Sequence, residues 1–361
     1  LEKVVNPWSG RKVFLTGHTG FKGGWLALWL ASKGAQVRGF SLDPDTVPSF
    51  FKAASVGDVL DDLRGDIRDY AQLEGALCDF APDVVFHLAA QPLVLRSYDD
   101  PLGTYSTNVM GTAHVLEAVR KCPSTRAVLC ITTDKCYLNR EWFWPYREED
   151  HLGGHDPYSS SKACAEIVAA AFRSSFFPPA RLQEHHVAVA TARAGNVIGG
   201  GDWSENRLIP DLMRGFQSQQ PVIIRQPQSI RPWQHVLEPL HGYLMHAERL
   251  LAADSTCCTA YNFGPDSDVA WTVGQIATKL ADIWGNGARW LHDTQPSAHE
   301  ARVLRVDSSK ARAELNWRPV LPMESALQWT AEWYRAYYQG SDMRSKTMEQ
   351  IKEYESLLCR L

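Results

Sequence analysis

The sequence has no apolar run long enough to cross a bilayer. Its longest, residues 25–31, falls far short of the roughly 20 residues a membrane helix needs. No signal-peptide pattern opens it, so a cytoplasmic location and no membrane partner are expected. Nor is there an excess of charge of one sign: 37 Lys and Arg face 41 Asp and Glu, a formal net charge of −4. That balance argues against a nucleic-acid partner, while a few local arginines still suffice for a small anion. The eight cysteines, Cys78, Cys122, Cys130, Cys136, Cys164, Cys257, Cys258 and Cys359, include no C-x-x-C pair. Neither a zinc site nor a thioredoxin-like motif is indicated, and buried, reduced thiols are expected. His18, His87 and His155 have no metal-ligand spacing with carboxylates, so no metal is expected. Internal repeats, low-complexity tracts and long linkers are missing too.

What is present is a chain of 361 residues, 45% hydrophobic, enough for about two domains or one large domain with an appendage. Residues 12–16, 36–40, 84–87, 127–131 and 186–191 read as strands, several of them continuous apolar runs of the parallel-sheet type. Residues 24–33, 104–121 and 157–172 read as helices, and so does the end, 345–361. The alternation predicts an α/β fold, a Rossmann-type doubly wound parallel sheet. After Gly199 the alternation weakens, and Gly, Pro, Trp and Asn become frequent. Residues 1–198 are therefore expected to form a dinucleotide-binding domain, with segments returning from the C-terminal part. Residues 199–361 are expected to form a smaller, substrate-facing region.

The first strand runs into Gly17-His-Thr-Gly20-Phe-Lys-Gly23. This is G-x-x-G-x-x-G at a strand-to-helix turn. Gly17 lets the chain turn tightly, Gly20 lets the backbone approach a pyrophosphate, and Gly23 lets helix and strand pack closely. The helix start, with Phe21 and Lys22, offers free N–H groups and a partial positive charge. Asp66 can accept a hydrogen bond from an adenine amino group, and Ile67 can pack on the ring. Leu88, Ala89 and Ala90 follow the fourth strand, and the two alanines permit close approach of a phosphate and ribose. The second strand ends without the acid that usually holds the adenosine ribose. Arg38 could face the 2′-phosphate of NADP or simply lie at an exposed edge, and Asp43 comes a few residues late.

Tyr158 and Lys162 form Y-x-x-x-K, a spacing that puts both side chains on one face of a helix. A tyrosine is a poor base at its ordinary pKa of about 10. A neighbouring ammonium and a positive nicotinamide ring can draw it toward about 7. Thr132, Thr133, Asp134 and Lys135 end the strand that starts at Ala127, at the edge of the sheet where ligands bind. Thr133 can hydrogen-bond a sugar hydroxyl, and Asp134 and Lys135 supply an acid/base pair beside Tyr158.

The glycine loop, the Thr-Asp pair and Y-x-x-x-K together resemble the extended short-chain dehydrogenase/reductases that act on nucleotide sugars. Further stretches, among them residues 88–94, 153–163, 193–203 and 231–236, are similar to the 4,6-dehydratase branch that acts on CDP-glucose. The resemblance spans roughly residues 12–335. It implies NAD as cofactor, oxidation at sugar carbon 4, loss of water across carbons 5 and 6, and return of the hydride to carbon 6. The implied product is CDP-4-keto-6-deoxyglucose, for 3,6-dideoxyhexose and O-antigen synthesis. It makes Tyr158 the base at carbon 4, Lys162 the holder of the nicotinamide ribose, and Asp134 the acid at carbon 6. Related dTDP-glucose enzymes have Glu where this chain has Lys135. Lys135 is then either the base at carbon 5 or an electrostatic stabiliser of the enolate. Cofactor contacts fall on Gly17, Gly20, Phe21, Lys22, Gly23, Asp66, Ile67, Leu88, Ala89, Ala90, Thr132, Tyr158 and Lys162. Substrate contacts fall on Gln91, Asn196, Arg207, Arg231 and Arg302, where arginines can grip a diphosphate bidentately. Trp203 and Trp233 either shape the sugar pocket or belong to the core. The family pairs subunits through a four-helix bundle, here residues 104–121 and 157–172, which implies a homodimer or homotetramer. A nucleotide-sugar epimerase and a non-catalytic NAD-sensing regulator are the competing functions. Asp134 speaks against the first, and the retained Tyr158 and Lys162 against the second.

Overall fold

Strands that run apolar without alternation are those a parallel sheet buries on both faces. In the computed structural model, which describes residues 6–266, 270–293 and 301–360, this is what they do. The strands are β1 (Lys12–Thr16), β2 (Gln36–Ser41), β3 (Asp61–Arg64), β4 (Val84–His87), β5 (Ala127–Ile131) and β6 (Ala188–Ala194). Every residue of β1, β4, β5 and β6 except Lys12 is buried. A seventh strand, Ala260–Phe263, pairs with β6. Across the sheet the order is Ala260–Phe263, β6, β5, β4, β1, β2, β3, with all neighbours parallel.

The period of two splits the core between two faces. Leu15, Phe86, Leu129 and Ala190 point to one, with Trp25, Trp29, Leu240 and Tyr243 over them. Phe14, Val85, Val128 and Val189 point to the other, with Leu77, Val115 and Val119 over them. The later half of the chain is part of this body: helix Leu237–Leu251 packs against β5 and β6.

The first helix, Phe21–Ser32, starts three residues earlier than its apolar pattern predicts, directly after Gly20. Lys22 and Gly23 therefore lie in its first turn. The single helix expected over 104–121 is three pieces: Pro101–Tyr105, a π-helical turn at Ser106–Met110, and Gly111–Lys121. The side chain of Asn108, in that turn, accepts from the Gln91 amide at 2.8 Å and donates to Ser161 Oγ at 2.8 Å. These tertiary bonds sit where the π turn inserts, as such turns commonly do near functional sites. Helix Pro157–Ser175 is capped by Asp156, which accepts from the Ser159 amide at 2.8 Å, with Pro157 at its first position. Among the described residues no helix is long and apolar enough to cross a membrane. The strand order reverses between β1 and β4, so the loops after β1, β4, β5 and β6 diverge around one crevice.

Candidate active site

A cavity of about 1520 Å³ opens in that crevice. All the residues expected to act line it except Arg302. Arg302 is exposed; its carbonyl accepts from the Ile230 amide at 2.9 Å, and its own amide donates to Glu141. The backbone of this segment is held against the strand at Ile230, and Arg302 lies beside the cavity lining at Ala301 and Leu304.

Gly17 ends β1 with φ +81°, and a Cβ there would stand 2.7 Å from the Ala89 amide nitrogen. At Gly23 a Cβ would meet the Gly17 carbonyl at 2.1 Å. The loop is thus folded flat against the start of the helix. Gly20 is the N-cap and gives no side-chain bond to the orphan amides of the first turn. It is exposed, with only the Gly17 carbonyl, at 3.4 Å, near its missing Cβ. An uncapped helix N-terminus beside bare backbone fits a dinucleotide's diphosphate. Thr16 Oγ1 accepts from the Leu88 and Ala89 amides, both at 3.1 Å, which locks the β4 loop to β1.

Further out, Asp66 and Ile67 line the cavity. Asp66 pairs with Arg68 at 2.6 Å, and that hydrogen-bonded guanidinium holds its carboxyl below the usual range. Arg38 is not at the cavity. It pairs with Asp61 at 2.6 Å and Asp79 at 2.7 Å and lies 4.8 Å over the Phe80 ring. The exposed edge position also expected for it is not found, since β2 lies between β1 and β3 and the Arg38 side chain is largely covered by these partners; nothing in its position presents it to a 2′-phosphate. Asp43 does line the cavity. His18 takes up the room beside β2: a Cβ on Gly39 would touch its ring at 2.4 Å, and Nε2 lies 2.8 Å from Asp62.

Tyr158 and Lys162 sit one turn apart, both buried in the cavity wall. The Tyr158 amide donates to Ser97 Oγ at 3.1 Å. Lys162 Nζ donates to the Ile131 carbonyl at 3.2 Å, and burial brings its ammonium down to about 8. In the chain alone the Tyr158 phenol lacks the nicotinamide charge that the expected lowering includes. Burial pushes it up to about 12, against the Thr133 hydroxyl bonded to it and the charge of Arg207. The lysine is held at the end of β5, and in the chain alone desolvation of the phenolate wins.

Asp134 is buried and raised above the usual carboxylate range, because desolvation outweighs Lys135, Thr133 and Arg231. Its Oδ1 accepts from Thr133 Oγ1 at 3.0 Å, while Oδ2 has no partner. Gly195 keeps the space beside Oδ2 open, since a Cβ there would lie 2.9 Å away. Lys135 is half-buried on the same wall.

Two polar side chains on the wall turn out to be occupied. The Thr132 hydroxyl donates its proton to Glu166, behind the wall, and keeps only acceptor capacity. The Gln91 amide donates to Thr104 Oγ1 at 2.9 Å and to the Leu93 carbonyl at 3.0 Å, and accepts from the Leu93 amide at 2.6 Å. It braces its own loop with both N–H donors, which leaves one acceptor site on its oxygen. Arg207 pairs with Asp202 at 3.2 Å, and Asn196 and Arg231 line the cavity nearby. Trp203 and Trp233 are both buried core residues and both part of the wall. Sequence reasoning missed Asn108, Glu166, Asp202 and the side chain of Lys22. Glu166 had a signal, being four residues after Lys162 on the same helix. Among the described residues no three His, Cys, Asp or Glu side chains gather as metal ligands would.

Residues 14–330 match the family model described as GDP-mannose 4,6 dehydratase. The chain is 51% identical to the CDP-glucose 4,6-dehydratase of Salmonella typhimurium, over 98% of this chain and 99% of that one. It is 28% identical to a dTDP-glucose 4,6-dehydratase of Xanthomonas campestris, over 93% and 97%. Among solved structures it is similar to dTDP-glucose 4,6-dehydratase from Bacillus anthracis in complex with NAD. The TM-score is 0.74 at 20% identity, covering 93% of this chain and 100% of that one. UDP-glucose 4-epimerase of Thermotoga maritima, with UDP-glucose, gives 0.76 at 21% identity, covering 91% and 99%. These two likenesses show the fold.

Proposed function

The chain belongs to the GDP-mannose 4,6 dehydratase family, and from that premise we propose that it is an NAD-dependent hydro-lyase that converts CDP-glucose to CDP-4-keto-6-deoxyglucose. The observation that carries this reading is the near-full-length likeness to the Salmonella enzyme. The buried Asp134 on the cavity wall, with one oxygen left without a hydrogen-bond partner, supports elimination over epimerisation.

The glycine loop, with Gly17, Gly20, Phe21, Lys22 and Gly23, would hold the NAD diphosphate at the uncapped helix start. Asp66, Ile67, Leu88, Ala89 and Ala90 would flank its adenosine half. When bound, NAD accepts the hydride from sugar carbon 4, returns it to carbon 6 and adds positive charge to the cavity. Tyr158 removes the proton of the carbon-4 hydroxyl, with Thr133 bonded to the phenol to steady it. Lys162 keeps its ammonium in the wall, where a ribose can accept from it. Asp134, whose carboxyl burial raises above its usual range, gives a proton to the hydroxyl leaving carbon 6. Lys135 beside it removes the proton at carbon 5. Asn196, Arg207 and Arg231 grip the diphosphate of the sugar nucleotide.

Helices Pro101–Tyr105 and Pro157–Ser175 and the π turn Ser106–Met110 leave Leu102, Tyr105, Met110 and Ile167 exposed. We place the subunit interface there, as a four-helix bundle with a second copy. All eight cysteines are unpaired, in keeping with a cytoplasmic enzyme.

The test is to incubate the protein and NAD separately with CDP-, UDP- and dTDP-glucose and follow the alkali-induced absorbance of a 4-keto-6-deoxy sugar. Signal from CDP-glucose alone is expected. Signal from another nucleotide sugar, or from none, overturns the reading.

A further inference from the structure

Lys22 lies in the first turn of helix Phe21–Ser32. A cation there opposes the positive end of the helix dipole, a position that favours acids. Lysine is therefore an unfavourable choice on local grounds. Its side chain lines the cavity and makes no ion pair among the described residues. The charges acting on it come from three other elements. They are Lys162 on helix Pro157–Ser175, Arg207 and Asp202 on the loop after β6, and Asp134 after β5. Asp202 is already paired with Arg207, and burial favours the neutral acid at Asp134. Among the described residues Lys22 and Lys162 thus make no ion pair on the cavity wall, and Arg207, already paired with Asp202, is a third cation there. Burial, with Lys162 and Arg207 adding to it, brings the Lys22 ammonium down to about 7.

An anion of high charge density is what this cluster lacks. Two ligands of the proposed reaction carry a diphosphate. The cofactor's falls to the backbone amides at Gly20, whereas the groups around the Lys22 ammonium belong to the loops that follow β5 and β6. We propose that the Lys22 side chain is a further substrate contact, holding the diphosphate bridge of the nucleotide sugar together with Arg207. The proposal rests on the nucleotide-sugar reading above. It carries a second consequence: near neutral pH a partly deprotonated lysine takes up a proton when the diphosphate arrives.

The experiment is calorimetric titration of the whole protein, without cofactor, at pH 7.5 in Tris and in HEPES. The titrants are CDP, UDP, dTDP and cytidine, and NAD is titrated in parallel. For the wild type, the enthalpy of binding the preferred diphosphate should change with the buffer's ionisation enthalpy. Lys22→Met should lose that dependence and bind the diphosphate about tenfold more weakly, with cytidine binding unchanged. Lys22→Arg should recover affinity without proton uptake, an outcome that mere structural damage cannot produce. Unchanged diphosphate affinity in Lys22→Met overturns the proposal. So does weakened NAD binding with diphosphate binding intact, which assigns the contact to the cofactor. A wild type that prefers UDP or dTDP overturns the CDP reading instead, and the Lys22 comparison is then read on that nucleotide.

Discussion

The two sides of helix Pro157–Ser175 treat buried polar groups in opposite ways. Behind the cavity wall, Glu166 accepts from Arg193 Nη2 at 2.8 Å, from Thr191 Oγ1 at 2.7 Å and from Thr132. Burial works to raise Glu166, but Arg193 and the two hydroxyls outweigh it and hold the carboxylate low. Arg193 goes on to Tyr137 at 2.9 Å, and Tyr137 to Asn262 at 2.7 Å. On the cavity side the acid, the phenol and the amine are each displaced toward their neutral forms, and Asp134 Oδ2 has no partner. The difference teaches where reactivity resides. A buried carboxylate whose two oxygens both accept, beside a paired cation, fixes the fold, while one left with a bare oxygen is poised to exchange a proton.

The sharpest way to break the comparison is to remove one atom from the reactive side. Tyr158→Phe should lower kcat by about 10⁴-fold and leave Tm within a degree or so, since only the hydroxyl leaves. A rate within tenfold of wild type would remove Tyr158 from the base role. On the saturated side, Glu166→Ala should cost about 3–5 kcal/mol in urea unfolding, because it leaves Arg193 buried and unpaired. Stability unchanged with activity lost would move Glu166 to the reactive side. Asp134→Asn is the mirror case. It should keep stability but lower dehydration by about 10²–10³-fold, with oxidation at carbon 4 surviving. In the wild type the acid form of Asp134 is the working one. The dehydration rate should therefore fall as pH rises through the raised pKa, and that alkaline limb should vanish in the variant.

Much of the first side was legible. The glycine spacing, Y-x-x-x-K and the apolar runs are local patterns, and each depends on a backbone period that sequence displays directly. The strand at Ala260–Phe263 was not, because its partner is β6, some seventy residues earlier, and four residues carry little pattern. Gln91 and Thr132 carry bonds that were not legible for a related reason. Both lie at the sheet edge where ligands bind, and position alone cannot say that Thr104 and Glu166 have already engaged their polar atoms. Arg302 sits in a promising basic stretch, yet backbone pairing with Ile230 decides which way the chain faces. For Tyr158, i, i+4 spacing shows that Lys162 is near, but not that its ammonium bonds to Ile131.

Glu238 sharpens the comparison at its smallest scale, since it is a buried carboxylate with bonds but no cation. Its Oε1 accepts from the Val320 amide at 2.9 Å and the Leu321 amide at 2.6 Å, and its Oε2 from the Tyr354 hydroxyl at 2.7 Å. These neutral donors reduce the burial penalty without cancelling it, and the carboxyl is pushed up to about 7. Between its unfolded value near 4.5 and that folded value, the native state holds a proton that the unfolded chain has released. Stability from this group is therefore full below about 4.5 and falls as pH rises toward 7, by about 3 kcal/mol at most. Glu238→Gln keeps an acceptor for the two amides and carries no charge. Urea unfolding of both proteins at pH 5 and pH 8 should show the variant gaining on wild type as pH rises. If the difference is the same at both pH values, Glu238 behaves like Glu166, and hydrogen bonds from neutral donors alone are enough to hold a buried charge.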